Sequence, residues 1–169
     1  MPRYEITWFT RDHLVAYPTN IPCCQVYVWV VSLDQHVVIV SKDGKQWQLP
    51  GGKPEINETL KETSIREVEE ETGLDISDIA DQLNFFGYQT VSEIDNSSPP
   101  YTQVRFMLRL DVNASQLDLH ADMEDQNQNT EDAIRFVKAI PLDQLGNYIP
   151  WLPASEEYGA FKAQLSRNN

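Results

Sequence analysis

The sequence has little cysteine and no long apolar run. Its two cysteines among 169 residues, Cys23 and Cys24, are adjacent and therefore poorly placed to bridge each other. No run of about 18 apolar residues is present, which excludes a membrane-spanning helix, and the N-terminus lacks the basic-then-apolar pattern of a signal peptide. We expect one domain over residues 1–169 in a reducing, cytoplasmic setting.

Positive charge is also scarce. Lys and Arg number 13 against 26 Asp and Glu, which gives a net charge of -13. We expect such a chain to repel DNA and RNA, because nucleic-acid binding depends on Lys and Arg that neutralise phosphates. A phosphate ligand would instead need a divalent cation to attract it. The three histidines, His13, His36 and His120, are scattered and have no metal-ligand spacing.

Apolar and β-branched patterns predict five strands and two main helices. The helix over residues 58–72 has Asn57 as its predicted N-cap and Gly73 as its C-terminal residue. A short helix begins at Pro141. The strands are expected at residues 23–32, 37–41, 83–91, 102–112 and 133–141, and the last helix at 154–166. Strands mixed with helices in this order favour an α/β or α+β sandwich.

The first predicted helix crowds carboxylates onto one edge. Five glutamates lie between Glu62 and Glu71, and Glu67, Glu70 and Glu71 share a wedge of roughly 100°. Two carboxylates about 5 Å apart repel by roughly 3 kcal/mol at an effective dielectric near 20. An exposed Arg–Glu pair returns only about 0.3–0.5 kcal/mol, so Arg66 alone does not offset this repulsion. Either the charges extend into water, as in most Glu-rich helices, or a cation such as Mg²⁺ lies between them.

The spacing of the glycines and acidic residues decides between these readings. Residues 52–74 follow the pattern G-x5-E-x7-R-E-U-x-E-E-x-G-U, with Val68 and Leu74 at the aliphatic positions U. Every defined position matches. This segment resembles the signature of the Nudix hydrolase family, and "WQLPGGK" before it is similar to the family's usual entry into the box.

The resemblance implies a fold, a reaction and a set of site residues. The fold is an α/β/α sandwich around a mixed sheet, and the reaction cleaves a nucleoside diphosphate linked to another group. Mg²⁺ or Mn²⁺ would be the cofactor. The metal ligands it implies are Glu67, Glu70, Glu71 and the Gly52 carbonyl. Glu58, Arg66 and Gly73 would support the box, and the general base would be Glu67, Glu70 or Glu131.

The substrate beyond the diphosphate is not readable from the sequence. Lys53, Arg105 and Tyr88 are candidate substrate contacts, although each also suits a surface charge or a core aromatic. The expected partner is a small nucleotide or nucleotide derivative, with no nucleic acid and no membrane. Self-association into a homodimer is left open. The subgroup motifs that would mark NADH or coenzyme A as substrate are absent.

Two other functions remain as alternatives. A Nudix-fold module could bind or sense a nucleotide without cleaving it, but such modules usually have eroded box glutamates, and here all are present. An isomerase of the same fold would act on an isoprenoid diphosphate and needs an additional Cys and Glu pairing. Cys23 and Cys24 lie ahead of the first predicted strand core and give that alternative little support.

Overall fold

A mixed β-sheet forms the centre of the protein. The computed structural model describes residues 3–10, 20–94, 98–121 and 133–167. Within these residues the sheet has eight strands, in the order β1-β6-β7-β2-β3-β4, with β5 paired to β2 and β8 to β3. Strands β2 and β7 run parallel, whereas the other pairs are antiparallel. The strands are β1 Tyr4–Thr10, β2 Cys23–Val31, β3 His36–Ser41, β4 Trp47–Gln48, β5 Gly51–Gly52, β6 Asn84–Glu93, β7 Tyr101–Arg109 and β8 Phe136–Pro141.

Helices cover both faces of this sheet, because its central strands are apolar on both sides. On β2, Val26, Val28 and Val30 pack with Val68 of helix α1 (Leu60–Thr72). The alternate β2 residues, including Trp29, pack with helix α2 (Glu156–Arg167). The fold is therefore the α/β/α arrangement with a central mixed sheet that the resemblance implied. Neither helix of the described residues has the length and apolar composition needed to cross a membrane.

Helix α1 begins and ends with strong capping signals. Thr59 is its N-cap, and Thr59 and Glu62 form a capping box in which each side chain accepts from the other residue's backbone N–H. The prediction of Asn57 as N-cap was wrong by two residues. Asn57 instead has a φ of 69°, in the turn before the helix. Gly73 ends the helix in the left-handed conformation, as predicted, with a φ of 75°.

Helix α2 is held on the sheet by stacked aromatic rings. The rings of Trp29 and Phe161 are 3.9 Å apart and nearly parallel, and both side chains are fully buried. Tyr158 on the same helix lies 6.4 Å from Trp29. This contact fixes the start of α2 above the strands β2 and β7. It also places Glu157, one residue before Tyr158, beneath the helix rather than in solvent.

Most predicted elements are confirmed, and three strands were missed: the long strand β1 and the two-residue strands β4 and β5. The observed strands near residues 23–32, 37–41, 83–91, 102–112 and 133–141 differ from prediction only at their ends. The predicted short helix is a 3₁₀ helix. Strand β1, "YEITWFT", pairs along its length with β6, and its β-branched and aromatic composition is the signal that could have found it. The 3₁₀ helices are Ser77–Gln82, Ala114–Gln116, Leu142–Asn147 and Leu152–Ala154.

Candidate active site

The glycine pair before α1 lies against both a strand and the helix. Gly51 and Gly52 form the short strand β5, which pairs with Val26 and Tyr27 of β2. A methyl group on Gly51 would collide with the Val26 carbonyl, and one on Gly52 would collide with the Glu67 carboxylate. Because neither position carries a side chain, the loop backbone can approach the acidic edge of α1 closely.

Arg66 holds several acidic side chains of the box together. Its Nε and Nη2 donate to the two carboxylate oxygens of Glu58, at 2.8 and 3.0 Å. Nη1 donates to Glu67 at 2.8 Å and to Glu70 at 3.0 Å, and Nη2 also reaches the Lys53 carbonyl at 3.1 Å. One guanidinium thus ties the loop before the helix to the helix itself, with geometry that only arginine provides. It also lowers the pKa of Glu58 to about 2.

Burial makes the two innermost carboxylates hard to ionise. Burial raises the pKa of Glu71 to about 8. The backbone N–H of Gly51 opposes this shift, because it donates to Glu71 Oε2 at 2.8 Å and so favours the charged form. The pKa of Glu67 is also raised, first by burial and then by repulsion from Glu70 and Glu58, although Arg66 opposes the shift. Two adjacent carboxylates with raised pKa values form a site that a bound cation would stabilise.

The donor atoms at this edge suit a hard divalent cation. Glu67, Glu70 and Glu71 offer carboxylate oxygens, which are the ligands that Mg²⁺ and Mn²⁺ prefer. In the part of the chain that the structure describes, no three Asp, Glu, His or Cys side chains already form a metal cage. Arg66 Nη1 instead bonds both Glu67 and Glu70. The residues therefore fit the expected metal by their chemistry, and their present arrangement is an arginine-braced cluster.

A cavity of about 730 Å³ adjoins the glycine loop, on the α2 face of the sheet. Gln48 and Leu49, just before the loop, line it, and so does Tyr27, the strand partner of Gly51. A volume of this size suits a ligand as large as a nucleotide. Aromatic rings form much of the wall and belong to Trp8, Tyr27, Trp47, Tyr148 and Trp151.

A row of hydrogen-bonded glutamines reaches one wall of this cavity, where Gln89 and Gln103 line it. Gln89 Nε2 donates to Gln103 Oε1 at 2.6 Å, and Gln103 Nε2 donates to Gln25 Oε1 at 2.8 Å. These glutamines are direct neighbours on strands β6, β7 and β2. The Tyr27 hydroxyl donates to Gln25 as well, at 3.0 Å. Because the amides satisfy one another, the row presents a fixed polar surface between the aromatic rings.

The family of the chain follows from its match to a family model. The NUDIX domain model matches residues 25–160, which include the whole box, the sheet from β2 to β8 and the first part of α2. The chain belongs to the Nudix family. The prediction of a Nudix hydrolase is thereby confirmed at the level of the family. No curated protein matches the sequence.

Solved Nudix structures share the fold at low sequence identity. The NUDIX domain of NrtR from Shewanella oneidensis, solved with ADP ribose, has a TM-score of 0.59 at 13% identity, over 91% of this chain and 97% of that one. The Bacillus subtilis pyrophosphohydrolase RppH has a TM-score of 0.57 at 14% identity, over 94% of this chain and 90% of that one. A third structure is a Francisella tularensis bifunctional NMN adenylyltransferase/ADP ribose pyrophosphatase, solved with AMP and a Mn ion. It has a TM-score of 0.57 at 22% identity, over 89% of this chain and 43% of that one.

The three residues predicted to contact substrate lie in different places. Lys53 is exposed at the loop, where its carbonyl bonds Arg66. Arg105 lines the cavity, but its guanidinium is 2.7 Å from Glu157 and lies over the Tyr27 ring. Tyr88 does not fit the prediction, because it is 3% exposed in the core on the α1 face, away from the cavity. The stack of Tyr88 on Phe9, at 4.9 Å, is a core contact.

Two candidate positions show the limits of sequence reasoning. Glu131, one of the expected bases, lies outside the described residues. Glu157 was missed, although it is 2% exposed, lines the cavity and accepts from Trp29 and Arg105. Its sequence context, "ASEEYGAF", gives no sign of burial, since an acidic residue in the first turn of a helix is ordinary. The packing of α2 on Trp29 and the bonds from Trp29 and Arg105 hold it inward.

Proposed function

We propose that this Nudix protein is a metal-dependent hydrolase that cleaves a diphosphate bond in a nucleoside diphosphate linked to another group. The observation that carries the proposal is the position of the three-carboxylate edge of α1 beside the glycine loop, with a nucleotide-sized cavity on the other side of that loop. The folds solved with ADP ribose, and with AMP and a Mn ion, support a nucleotide substrate and a divalent cation.

The chain's own residues suggest how the reaction proceeds. Glu67, Glu70 and Glu71 would hold the cation, and Gly52 would add its carbonyl. When bound, a divalent ion neutralises phosphate oxygens and lowers the pKa of a coordinated water. Arg66 keeps Glu67 and Glu70 within one hydrogen-bonded cluster with Glu58, so the ligand set is assembled before the substrate arrives.

A carboxylate must also accept the proton of the attacking water. Glu67 suits this role, because burial raises its pKa towards the range in which a general base works well near neutral pH. Glu70 is the second candidate, and Glu131 remains a proposal from the sequence. The cavity would hold the nucleotide while its diphosphate lies at the loop. The two free cysteines accord with the cytoplasm as the site of this activity.

The test is a pair of single-atom substitutions on α1. Glu70→Gln removes a proposed metal ligand, whereas Glu69→Gln changes an exposed glutamate one position away. Phosphate or pyrophosphate release would be measured with Mg²⁺ and Mn²⁺ over nucleoside triphosphates, sugar nucleotides, dinucleoside polyphosphates and coenzyme A. We expect Glu70→Gln to lower kcat by about 100-fold or more, with Glu69→Gln near wild type. Equal activity of the two variants would contradict the proposal. Tight nucleotide binding by the wild type without turnover would favour a binding module.

A further inference from the structure

Two buried polar atoms in the described residues lack any hydrogen-bond partner, and both belong to residues of the cavity wall. They are Glu157 Oε2 and Trp8 Nε1. Such atoms are rare in native proteins, and each calls for a physical explanation. One is an acceptor and the other a donor. Both atoms have less than 1 Å² of accessible surface, so a small movement of the wall would let a ligand in the cavity offer a donor to Glu157 and an acceptor to Trp8.

The carboxylate of Glu157 is fixed in place. Its Oε1 accepts from Trp29 Nε1 at 2.8 Å and from Arg105 Nε at 2.7 Å. The side chain is 2% exposed, and Trp29 is itself locked by its stack on Phe161. The carboxylate therefore cannot rotate without breaking two charge-assisted bonds. Oε2 is left as a rigid acceptor whose position the fold determines.

The indole of Trp8 is positioned equally well. It lies on Gly87 of strand β6, where any larger residue would collide with the ring, and it contacts the ring of Phe86 at 5.4 Å. Strand β1 pairs with β6 through seven residues, from Tyr4 to Thr10. The N–H of Trp8 is therefore held by the sheet, and an indole has no acceptor that could replace it.

Aromatic side chains elsewhere in the cavity wall favour a flat ring. Trp47 and Tyr148 meet edge to face at 5.6 Å, and the Lys138 ammonium lies over both rings at 5.0 and 5.5 Å. Trp151 adds a third aromatic side chain that is 61% exposed at the cavity. Aromatic side chains stack on nucleobases of any identity. Stacking alone therefore does not select the ring, and selection falls to the polar atoms.

We propose that the cavity binds the flat nitrogen heterocycle of the substrate and that Glu157 selects rings carrying an amino group. The Trp8 indole N–H donates a hydrogen bond to a ring nitrogen or carbonyl of the same heterocycle. The inference rests on the proposed nucleotide substrate, and it narrows that substrate to nucleotides with an aminated ring. Arg105 positions Glu157 rather than binding phosphate, because its charge is already compensated.

The test is binding of two purine monophosphates in the presence of EDTA, where no hydrolysis takes place. AMP carries the amino group, and purine riboside 5′-monophosphate lacks it but keeps the ring acceptors. Quenching of tryptophan fluorescence reports binding, since three of the four tryptophans line the cavity. We expect the wild type to bind AMP about 10- to 100-fold more tightly, the usual discrimination from one well-placed hydrogen-bonded group.

Glu157→Gln reverses the polarity at the site. The Gln amide oxygen must accept from Trp29 and Arg105, which turns the NH₂ group towards the position of Oε2. The preference for AMP should then fall to less than about threefold or reverse. Trp8→Phe leaves the Glu157 bonds intact and should weaken both ligands alike, so the AMP preference stays. Glu5→Gln is the matched control, because alternation places Glu5 on the opposite side of β1 from Trp8.

The outcomes separate this inference from the proposed hydrolase. A wild-type preference below about threefold, or no binding of either monophosphate at millimolar concentration, would overturn the ring inference even if hydrolysis is found. An unchanged preference in folded Glu157→Gln would overturn it as well. If that variant does not fold, the wild-type ratio and Trp8→Phe decide. A preference for AMP without turnover of any nucleotide would support the ring inference and refute the hydrolase.

Discussion

Replacing Arg66 by alanine measures how much of the box depends on one guanidinium. Arg66 is 24% exposed, and its carboxylate partners Glu58, Glu67 and Glu70 are 13%, 12% and 41% exposed. Buried charged hydrogen bonds contribute about 1.5–3 kcal/mol and exposed pairs about 0.2–1 kcal/mol. The two bonds to Glu58 and the one to Glu67 are partly buried, so each is assigned about 1 kcal/mol, between the buried and the exposed range. The more exposed bond to Glu70 is assigned the low end of the exposed range. Together they give a stabilisation of about 3 kcal/mol.

A loss of about 3 kcal/mol corresponds to a fall in Tm of roughly 6–12 °C for a protein of this size. Thermal unfolding with EDTA would measure it, and Lys61→Ala, the helix's other cation, is the control. Adding Mn²⁺ should stabilise Arg66→Ala more than the wild type, because without the guanidinium the carboxylates gain more from a bound cation. A fall below about 2 °C, or an equal effect of Mn²⁺ on both proteins, would refute the reasoning.

Three further changes test other parts of the structure. Glu58→Gln should lower the urea midpoint at pH 7 and converge with wild type as the pH falls towards 2, because Arg66 holds the pKa of Glu58 at about 2, below its ordinary 4.5. Gly52→Ala should lower kcat at least about 100-fold, since its methyl group displaces the Glu67 carboxylate; wild-type kcat would contradict this. Phe161→Ala should cost about 3–5 kcal/mol in urea unfolding, whereas a loss under 1 kcal/mol would show that α2 is held elsewhere.

The parts of the fold that sequence predicts well are those governed by local chemistry. Strand β2 follows from its run of β-branched residues, and Gly73 ends α1 because only glycine adopts its φ of 75° without strain. The N-cap was misplaced because Asn57 and Thr59 both have capping side chains. The choice between them depends on Glu62, whose carboxylate completes the box with Thr59.

The candidate site likewise has one part that local sequence predicts and one part that it does not. The carboxylate edge of α1 follows from helical spacing, since residues three and four apart share a face. The cavity does not, because its walls come from β1, β6, β7 and residues after position 141, which meet through pairings far apart in sequence. Tyr88 and Gln89 are neighbours in β6, yet only Gln89 reaches the cavity. Successive side chains of a strand point to opposite faces of the sheet, so a shift of one position decides which residue lines the cavity. Strand β1, which the sequence did not predict, pairs with β6 along the neighbouring edge.

The two parts of the site are linked through a single side chain. Tyr27 pairs with Gly51 in the loop, lies under the Arg105 guanidinium at 4.6 Å, and lines the cavity. Burial raises the pKa of Tyr27, Arg105 opposes the shift, and Glu71 adds to it from the far side of the loop. Tyr27 therefore lies between the acidic edge of α1 and the cavity. Under the proposed function, a substrate with its heterocycle between the aromatic walls would pass Tyr27 to place its diphosphate at the glycine loop, so a substitution of Tyr27 is expected to affect both binding and cleavage.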